Sequence, residues 1–297
     1  MTQAVYPPDP PPPPSSPPRF QGRVAVVTGA ARGMGRAFAL SLAREGCDLV
    51  LGDALEDVPD GTPYPKATKA DFDETVRGVE AQGRRCVARK ADMRDPSQAA
   101  SLIDAATSEL GRLDFVISNH AITIERPIVE MSPQVFSAVV RNNLDGAFNV
   151  LSPGLKVLTG QKRGRVVIIG SGSGRHAEMN SAAYVASKWG LIGLGKTAAL
   201  EAAKSGVTVV TVNVMLPGPT DTAMMDDPIR WKEAAPDKPE PTRDDYLEAK
   251  KDATPMGVAL VKPEDVAAAV VFLLTDEARF ISGDTLSVDA ADCAKWT

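Results

Sequence analysis

The run Arg-Val-Ala-Val-Val-Thr at residues 23–28 passes straight into Gly29-Ala-Ala-Arg-Gly33-Met-Gly35, and this junction constrains the chain more than any other segment. A short apolar run rich in β-branched residues fits a strand buried on both faces, as in a parallel sheet. Beyond the glycines, Met34, Phe38 and Leu42 recur at helical spacing until Gly46 closes the pattern. Glycines at a strand-to-helix turn let the backbone approach a ligand closely, and a helix start favours a negative group such as a pyrophosphate. The spacing is Gly-x-x-x-Gly-x-Gly rather than Gly-x-Gly-x-x-Gly, so the turn alone leaves a ligand-free reading open. A second apolar run, 48–52, ends at Asp53. A carboxylate about twenty residues past the glycines can bond an adenosine ribose hydroxyl and repels a 2′-phosphate, which favours NAD over NADP. Arg32, as a phosphate contact, pulls modestly the other way.

A second constellation carries proton chemistry. Tyr184 and Lys188 are four residues apart in Ser-Ala-Ala-Tyr-Val-Ala-Ser-Lys, so a helix places them one turn apart on one face. A free phenol titrates near ~10, too high for a good base at neutral pH. A nearby ammonium is expected to lower that value. Ser171, thirteen residues before the tyrosine, can hold the oxygen of an alcohol or carbonyl while the proton moves. A Tyr-x-x-x-Lys pair by itself is common on solvated helix faces; its company gives it weight.

With these motifs in order, the chain resembles the short-chain dehydrogenase/reductase family over roughly residues 22–289. The resemblance rests on 28–35, Asp92 after the third strand, Asn119 after the fourth, Ser171 with Tyr184 and Lys188, and Pro217-Gly218 after the sixth. It implies a fourth catalytic residue at Asn143, with Asn142 as the competing register, supporting a water relay to solvent. It also implies that Tyr184 is the base, that Lys188 bonds the nicotinamide ribose, and that Ser171 orients the substrate oxygen. Cofactor contacts are implied at Gly29, Arg32, Gly33, Met34, Gly35, Asp53, Asp92, Met93 and Asn119. Further along, Tyr184, Lys188, Pro217, Gly218, Thr220 and Thr222 are added, the last two toward the nicotinamide carboxamide. The implied reaction is hydride transfer between NAD and a hydrophobic secondary alcohol or its ketone, such as a cyclic or terpenoid one.

Composition agrees with an α/β enzyme. A chain of 297 residues with 43% hydrophobic residues can bury one large core. Strands are expected near 86–91, 115–118, 165–170, 207–215 and 285–288, and helices near 71–82, 97–110, 133–158, 182–204 and 264–274. The alternation gives a single Rossmann-type, doubly wound parallel sheet of about seven strands with helices on both faces; the family resemblance implies the order 3-2-1-4-5-6-7. A net charge of −5 without basic blocks argues against nucleic acid or an anionic membrane as partner. Cys47, Cys86 and Cys293 are too scattered for a disulfide framework or a Cys-x-x-Cys metal site, and no metal is expected. No apolar run spans a bilayer and no secretion-signal layout opens the chain, so a cytoplasmic location is expected. Residues 1–19 are proline-rich and read as a disordered extension, an SH3-type ligand being the minor alternative. Residues 20–297 form the NAD-binding domain. Gly190, Gly193, Ala198, Ala199, Ala202 and Ala203 on the Tyr184 helix suit close helix contact, within the subunit or across a homotetramer or homodimer interface, as the family resemblance implies.

Departures from the family pattern carry information. The usual Asn-Asn-Ala-Gly is here Asn119-His120-Ala121-Ile122; His120 invites an acid–base role, but a structural substitute for asparagine is expected. In Gly170-Ser171-Gly172-Ser173-Gly174, Ser173 is expected beside the substrate, and His176 lines the pocket or is an exposed loop residue. Residues 54–69 form an insertion longer than the usual ~2–6-residue α/β connection, with Tyr64 between two prolines. With the segment that follows, it resembles the carveol-dehydrogenase-like, mycofactocin-associated branch, which implies a cover over a slowly exchanging NAD and an external electron acceptor. A surface loop is the competing reading. Residues 223–256, with Met224 and Met225 toward substrate, are expected to form an amphipathic lid. Two other functions compete: an NADPH-dependent 3-oxoacyl-type ketoreductase, which Asp53 opposes, and a non-catalytic NAD-binding regulator, which has no need of a tuned phenol.

Overall fold

Valine, leucine and isoleucine dominate the central strands because those strands are covered on both faces, and the sheet follows from this. In the computed structural model, which describes residues 17–204 and 209–295, seven parallel strands are ordered β3-β2-β1-β4-β5-β6-β7. They are β1 (Val24–Thr28), β2 (Asp48–Asp53), β3 (Cys86–Lys90), β4 (Phe115–Ser118), β5 (Arg163–Ile169), β6 (Val209–Pro217) and β7 (Thr285–Val288). Register is set at the centre, where Val26 lies opposite Val50 on one side and Val116 on the other. The edge strand β3 reads Cys-Val-Ala-Arg-Lys and leaves its last three residues exposed, which blunts pairing with another chain.

Nine α-helices are described: α1 (Gly33–Arg44), α2 (Lys69–Glu80), α3 (Pro96–Ser108), α4 (Pro133–Val140), α5 (Gly146–Gln161), α6 (Ala182–Lys204), α7 (Pro228–Ala234), α8 (Arg243–Ala253) and α9 (Pro263–Leu274). Alternation along each strand divides the core. Ala25, Val27, Leu49 and Leu51 face Phe38 and Leu42 of α1 and Val266 and Val270 of α9. Val24, Val26, Val50 and Val116 face the other way, onto a core containing Leu102 and Ile103 of α3, Val150 and Leu151 of α5, and Leu191 of α6. The chain reverses its winding direction between β1 and β4, and the carboxyl ends of those strands open a crevice there.

The expected strands and helices are present with shifted ends, and two features differ. The single helix expected over 133–158 is divided by a π-helical turn, Arg141–Asp145, which ends α4 and begins α5. The segment 223–256, expected as a lid, contains two short helices, α7 and α8. Asp227 with Pro228, and Thr242 with Asp245 in a capping box, begin them and were the available sequence signals. Residues 1–16 of the expected extension and residues 207–208 of the expected sixth strand lie outside the described residues. Arg19, assigned by sequence to the extension, instead bonds Glu45 with its guanidinium, and Phe20 is buried against Phe115. Ala198, Ala199 and Ala202 are buried within the subunit and Gly190 packs on Leu144, so most of the small-residue stripe on α6 serves internal packing. No helix among the described residues is long and apolar enough to cross a membrane.

Candidate active site

The β1–α1 turn needs glycine for two separate reasons. Gly29 has φ +63°, and a Cβ built on Gly35 would stand 1.9 Å from the Gly29 carbonyl oxygen. The helix that follows has no acidic residue in its first turn, and Arg32 at its N-cap makes no side-chain cap bond. Those amides remain for an anion. Asn119 fixes the turn from β4: its Nδ2 donates to the carbonyls of Thr28 (3.0 Å) and Gly29 (2.9 Å). At the end of β2 the Asp53 carboxylate accepts from the amides of Ala31 (2.9 Å) and Leu55 (2.8 Å). Burial raises its pKa, and the two amides offset part of that rise.

Gly29, Arg32, Gly33, Met34, Gly35, Asp53, Met93 and Asn119 line one cleft with Tyr184, Lys188 and Thr222. Asp92 does not line it: its carboxylate pairs with Arg94 (2.5 Å), while Ala91 and Met93 on either side face the cleft. Pro217, Gly218 and Thr220 line the adjoining cavity, where the Thr220 hydroxyl donates to the Gly218 carbonyl (2.9 Å). The 54–69 insertion folds onto the cleft. Leu55, Val58, Tyr64, Lys66 and Ala67 line it. The Tyr64 phenol accepts from the Thr123 amide (3.2 Å), and Arg32 donates to the Pro65 carbonyl. Lys66 Nζ donates to the carbonyls of Glu56 and Val58.

Tyr184 and Lys188 meet Ser171 where α6 passes the end of β5. Ser171 caps the short turn Gly172–Gly174, its Oγ accepting from the Ser173 amide (3.2 Å), and its hydroxyl favours the ionised form of the Tyr184 phenol. Lys188 Nζ lies 5.3 Å from the Tyr184 ring centroid and donates to the Ile169 carbonyl (2.9 Å). The expected lowering of the phenol's pKa by Lys188 is not what the protein alone produces. Burial dominates and pushes Tyr184 up to about 12, with Ser171 opposing it. The ammonium is desolvated too, and burial pushes Lys188 down to about 7. An unfolded lysine keeps its proton to about 10.4. Between those values the unfolded chain binds more protons, so stability rises with pH there. In cofactor-free protein, urea unfolding at pH 7 and pH 9 is expected to show this rise, and Lys188→Met to flatten it.

The adjacent asparagines divide their roles. Asn143, on the π turn, accepts from the Ile122 amide (2.8 Å) and donates to the Ile122 carbonyl (2.9 Å) and Ser187 Oγ (3.1 Å). Asn142 lines the cofactor cleft. His120 Nδ1 is 2.8 Å from Thr28 Oγ1, and its Nε2 sits where a Cβ on residue 146 would be, 2.6 Å away. Burial, and secondarily Lys188, pushes its pKa down to about 4, which keeps the ring neutral and fits a structural role.

The adjoining cavity, about 410 Å³, is lined by Ser171, Ser173, His176, Tyr184, Thr222, Met224 and Met225. It also contains Tyr246 of the expected lid, and Glu125, Glu178, Arg230 and Lys250, which sequence reasoning did not single out. Glu125, from the loop after β4, is 2% exposed and forms an ion pair with Arg230 of α7. Burial pushes Glu125 up to about 7, with Arg230 offsetting part. Inside the lid, the Tyr246 hydroxyl donates to Met225 Sδ (3.5 Å) and Trp231 Nε1 to the Met225 carbonyl (3.0 Å).

A doubly wound sheet with a glycine-lined crevice and Ser171, Tyr184 and Lys188 grouped at its mouth is an arrangement suited to a nicotinamide-dependent oxidoreductase. A family model described as enoyl-(acyl carrier protein) reductase matches residues 29–290. The chain is 34% identical over 280 residues to (−)-trans-carveol dehydrogenase of Rhodococcus erythropolis, covering 93% of this chain and 99% of that one. Carveol dehydrogenase from Mycobacterium avium, solved in complex with NAD, superposes with a TM-score of 0.88 at 32% identity, covering 93% of this chain and 99% of the other. A short-chain dehydrogenase from Mycobacterium paratuberculosis bound to NAD gives 0.83 at 30% identity, with the same coverage. This chain belongs to the short-chain dehydrogenase/reductase family.

Proposed function

We propose that this chain is an NAD-dependent oxidoreductase that interconverts a hydrophobic secondary alcohol, such as a cyclic or terpenoid one, and its ketone. The observation that carries the reading is the meeting of Ser171, Tyr184 and Lys188 at the junction of the glycine-lined cleft and the 410 Å³ cavity. The uncapped start of α1, the bare backbone at Gly35 and the Asp53 carboxylate suit a dinucleotide without a 2′-phosphate. Bound there, NAD supplies the hydride acceptor and donor. The chain's own residues manage the proton and the geometry. Tyr184 takes the hydroxyl proton in oxidation and returns it in reduction, and Ser171 holds the substrate oxygen. Lys188 supplies the positive charge beside the phenol, and Asn143 braces the loop in front of it. Met224, Met225 and Tyr246 offer the substrate's carbon skeleton an apolar surface, and the Glu125–Arg230 pair a polar one. Exposed Phe148, Trp189 and Leu200 on α5 and α6 support self-association as a homodimer or homotetramer.

The insertion is expected to hold NAD kinetically, because release requires Tyr64 to leave Thr123 and Arg32 to leave Pro65. Purified protein should therefore carry NAD and pass electrons from carveol or cyclohexanol to an artificial dye better than to added NAD, and not to NADP. Replacing residues 62–66 with a glycine linker should speed NAD release by about tenfold, since the stiff Pro63-Tyr64-Pro65 segment no longer favours the closed form. Stopped-flow displacement of NAD measures this; an unchanged release rate would reduce the insertion to a surface loop.

A further inference from the structure

Arg230 of α7 stands in the substrate cavity with hydrogen-bond donors to spare. It lines that cavity together with Ser171 and Tyr184. A guanidinium offers five N–H donors in one plane and accepts nothing. One terminal nitrogen, Nη2, meets the buried Glu125 carboxylate, while Nε is enclosed and has no hydrogen-bond partner. Glu125 is 2% exposed, and the start of α7 is fixed by Asp227, whose carboxylate accepts from the Ile229 amide (2.8 Å). The fork is thus held in place but only partly satisfied, a state that is costly for a charged group. What completes it must bring an acceptor and no net charge. Five carboxylates line the cavity against two cations, Arg230 and Lys250, so an anionic ligand is repelled. Met224, Met225 and Tyr246 add an apolar wall. A neutral oxygen on a hydrocarbon skeleton meets all of these conditions.

We propose that Arg230 is a specificity-determining residue that binds a second, neutral oxygen of the substrate, so that the preferred substrates are secondary alcohols carrying a further hydroxyl, carbonyl or ether oxygen. This rests on the alcohol–ketone reading above and deepens it. Ser171 and Tyr184 take the reacting oxygen, and Arg230 takes the remote one. Two points of attachment orient the skeleton between them and select which face of the carbinol carbon turns toward the cofactor cleft. A site built to bond a substrate oxygen also discriminates against the analogue that lacks it, because its donor is then left unpaired. Glu125 keeps the fork in register. No bond is made or broken at Arg230, and the proton and hydride steps are those already described.

The test separates this role from two others that Arg230 plays. Its charge lowers the Tyr184 pKa, and its ion pair steadies α7. Losing either affects every alcohol alike, whereas losing an oxygen anchor affects only substrates with the second oxygen. Each cyclohexanediol regioisomer is compared with the methylcyclohexanol of the same substitution pattern, which puts a methyl where the diol has its remote hydroxyl. Initial rates with NAD and with an artificial dye give kcat/KM for both series. In wild type at least one diol should exceed its methyl counterpart by about tenfold, well beyond the roughly twofold statistical gain of two equivalent carbinols. In Arg230→Met that ratio should fall to one or below, while the methylcyclohexanols keep their mutual order. The double variant Glu125→Met with Arg230→Met leaves no unpaired charge; it should lose the preference too, and it decides the matter if the single variant does not fold. A wild type that oxidises the methylcyclohexanols as well as every diol overturns the second-oxygen class alone. A diol preference that survives the loss of the guanidinium removes Arg230 from substrate selection. A wild type that oxidises neither series overturns the functional reading, and this inference with it.

Discussion

Tyr184→Phe is expected to lower turnover by about a thousandfold, close to 4 kcal/mol of barrier, while NAD affinity stays within about twofold. The change deletes one oxygen, the atom proposed to exchange a proton with the substrate. The ring remains in its apolar cluster with Ile122, Ile124, Val139 and Ala183, so α6 keeps its place. Lys188 keeps its bond to the Ile169 carbonyl. Cofactor titration by fluorescence and turnover on the alcohol panel separate the two effects. Activity within a few-fold of wild type would remove Tyr184 from the reaction and favour the regulatory reading over the catalytic one.

The second large effect is expected at the lid. Removing one partner of a buried ion pair leaves the other uncompensated, which costs about 3–5 kcal/mol. The two removals are not equivalent. With Arg230 replaced by Met, Glu125 can shed its charge, since burial already pushes its carboxyl up to about 7. With Glu125 replaced by Gln, the Arg230 guanidinium cannot lose its proton. Glu125→Gln is therefore the more damaging change, and its melting temperature should fall on the order of 10 °C. Replacing both with Met should recover most of the loss, because an apolar pair of similar volume avoids the desolvation of both ions. Thermal melts of the three variants decide it; equal, small shifts would mean that the pair is solvated and carries little.

The parts of this structure that were legible in the sequence are those governed by neighbours in the chain. The β-branched run of β1, the glycine turn and the helical spacing of Tyr184 with Lys188 each announce themselves within a few residues. The π turn at Arg141–Asp145 was hidden because its residues suit an ordinary helix; the extra loop that carries Asn143 is drawn out by tertiary bonds to Ile122 and Ser187. At Asp92, position after a strand places the backbone beside the cleft, but the sequence does not show that the side chain pairs locally with Arg94. Glu125 and Arg230 look like ordinary surface charges in sequence, and only the lid's return over the sheet brings them together. The Tyr184 phenol illustrates a different limit: spacing places an ammonium nearby, but says nothing of how deeply both groups are buried.

Residues 122–125 act as a crossbar to which three otherwise separate parts are fastened. Ile122 is clamped at both its amide and its carbonyl by Asn143, at the entry to α5. Thr123, the next residue, holds the 54–69 insertion through Tyr64. Glu125, two residues further, holds α7 through Arg230. Two doors thus share one doorpost. If residues 223–256 open as a lid and 54–69 as a cover, movement of either acts on the same four residues. Coupling between the two would then need no contact between them, because it runs through four residues that belong to neither.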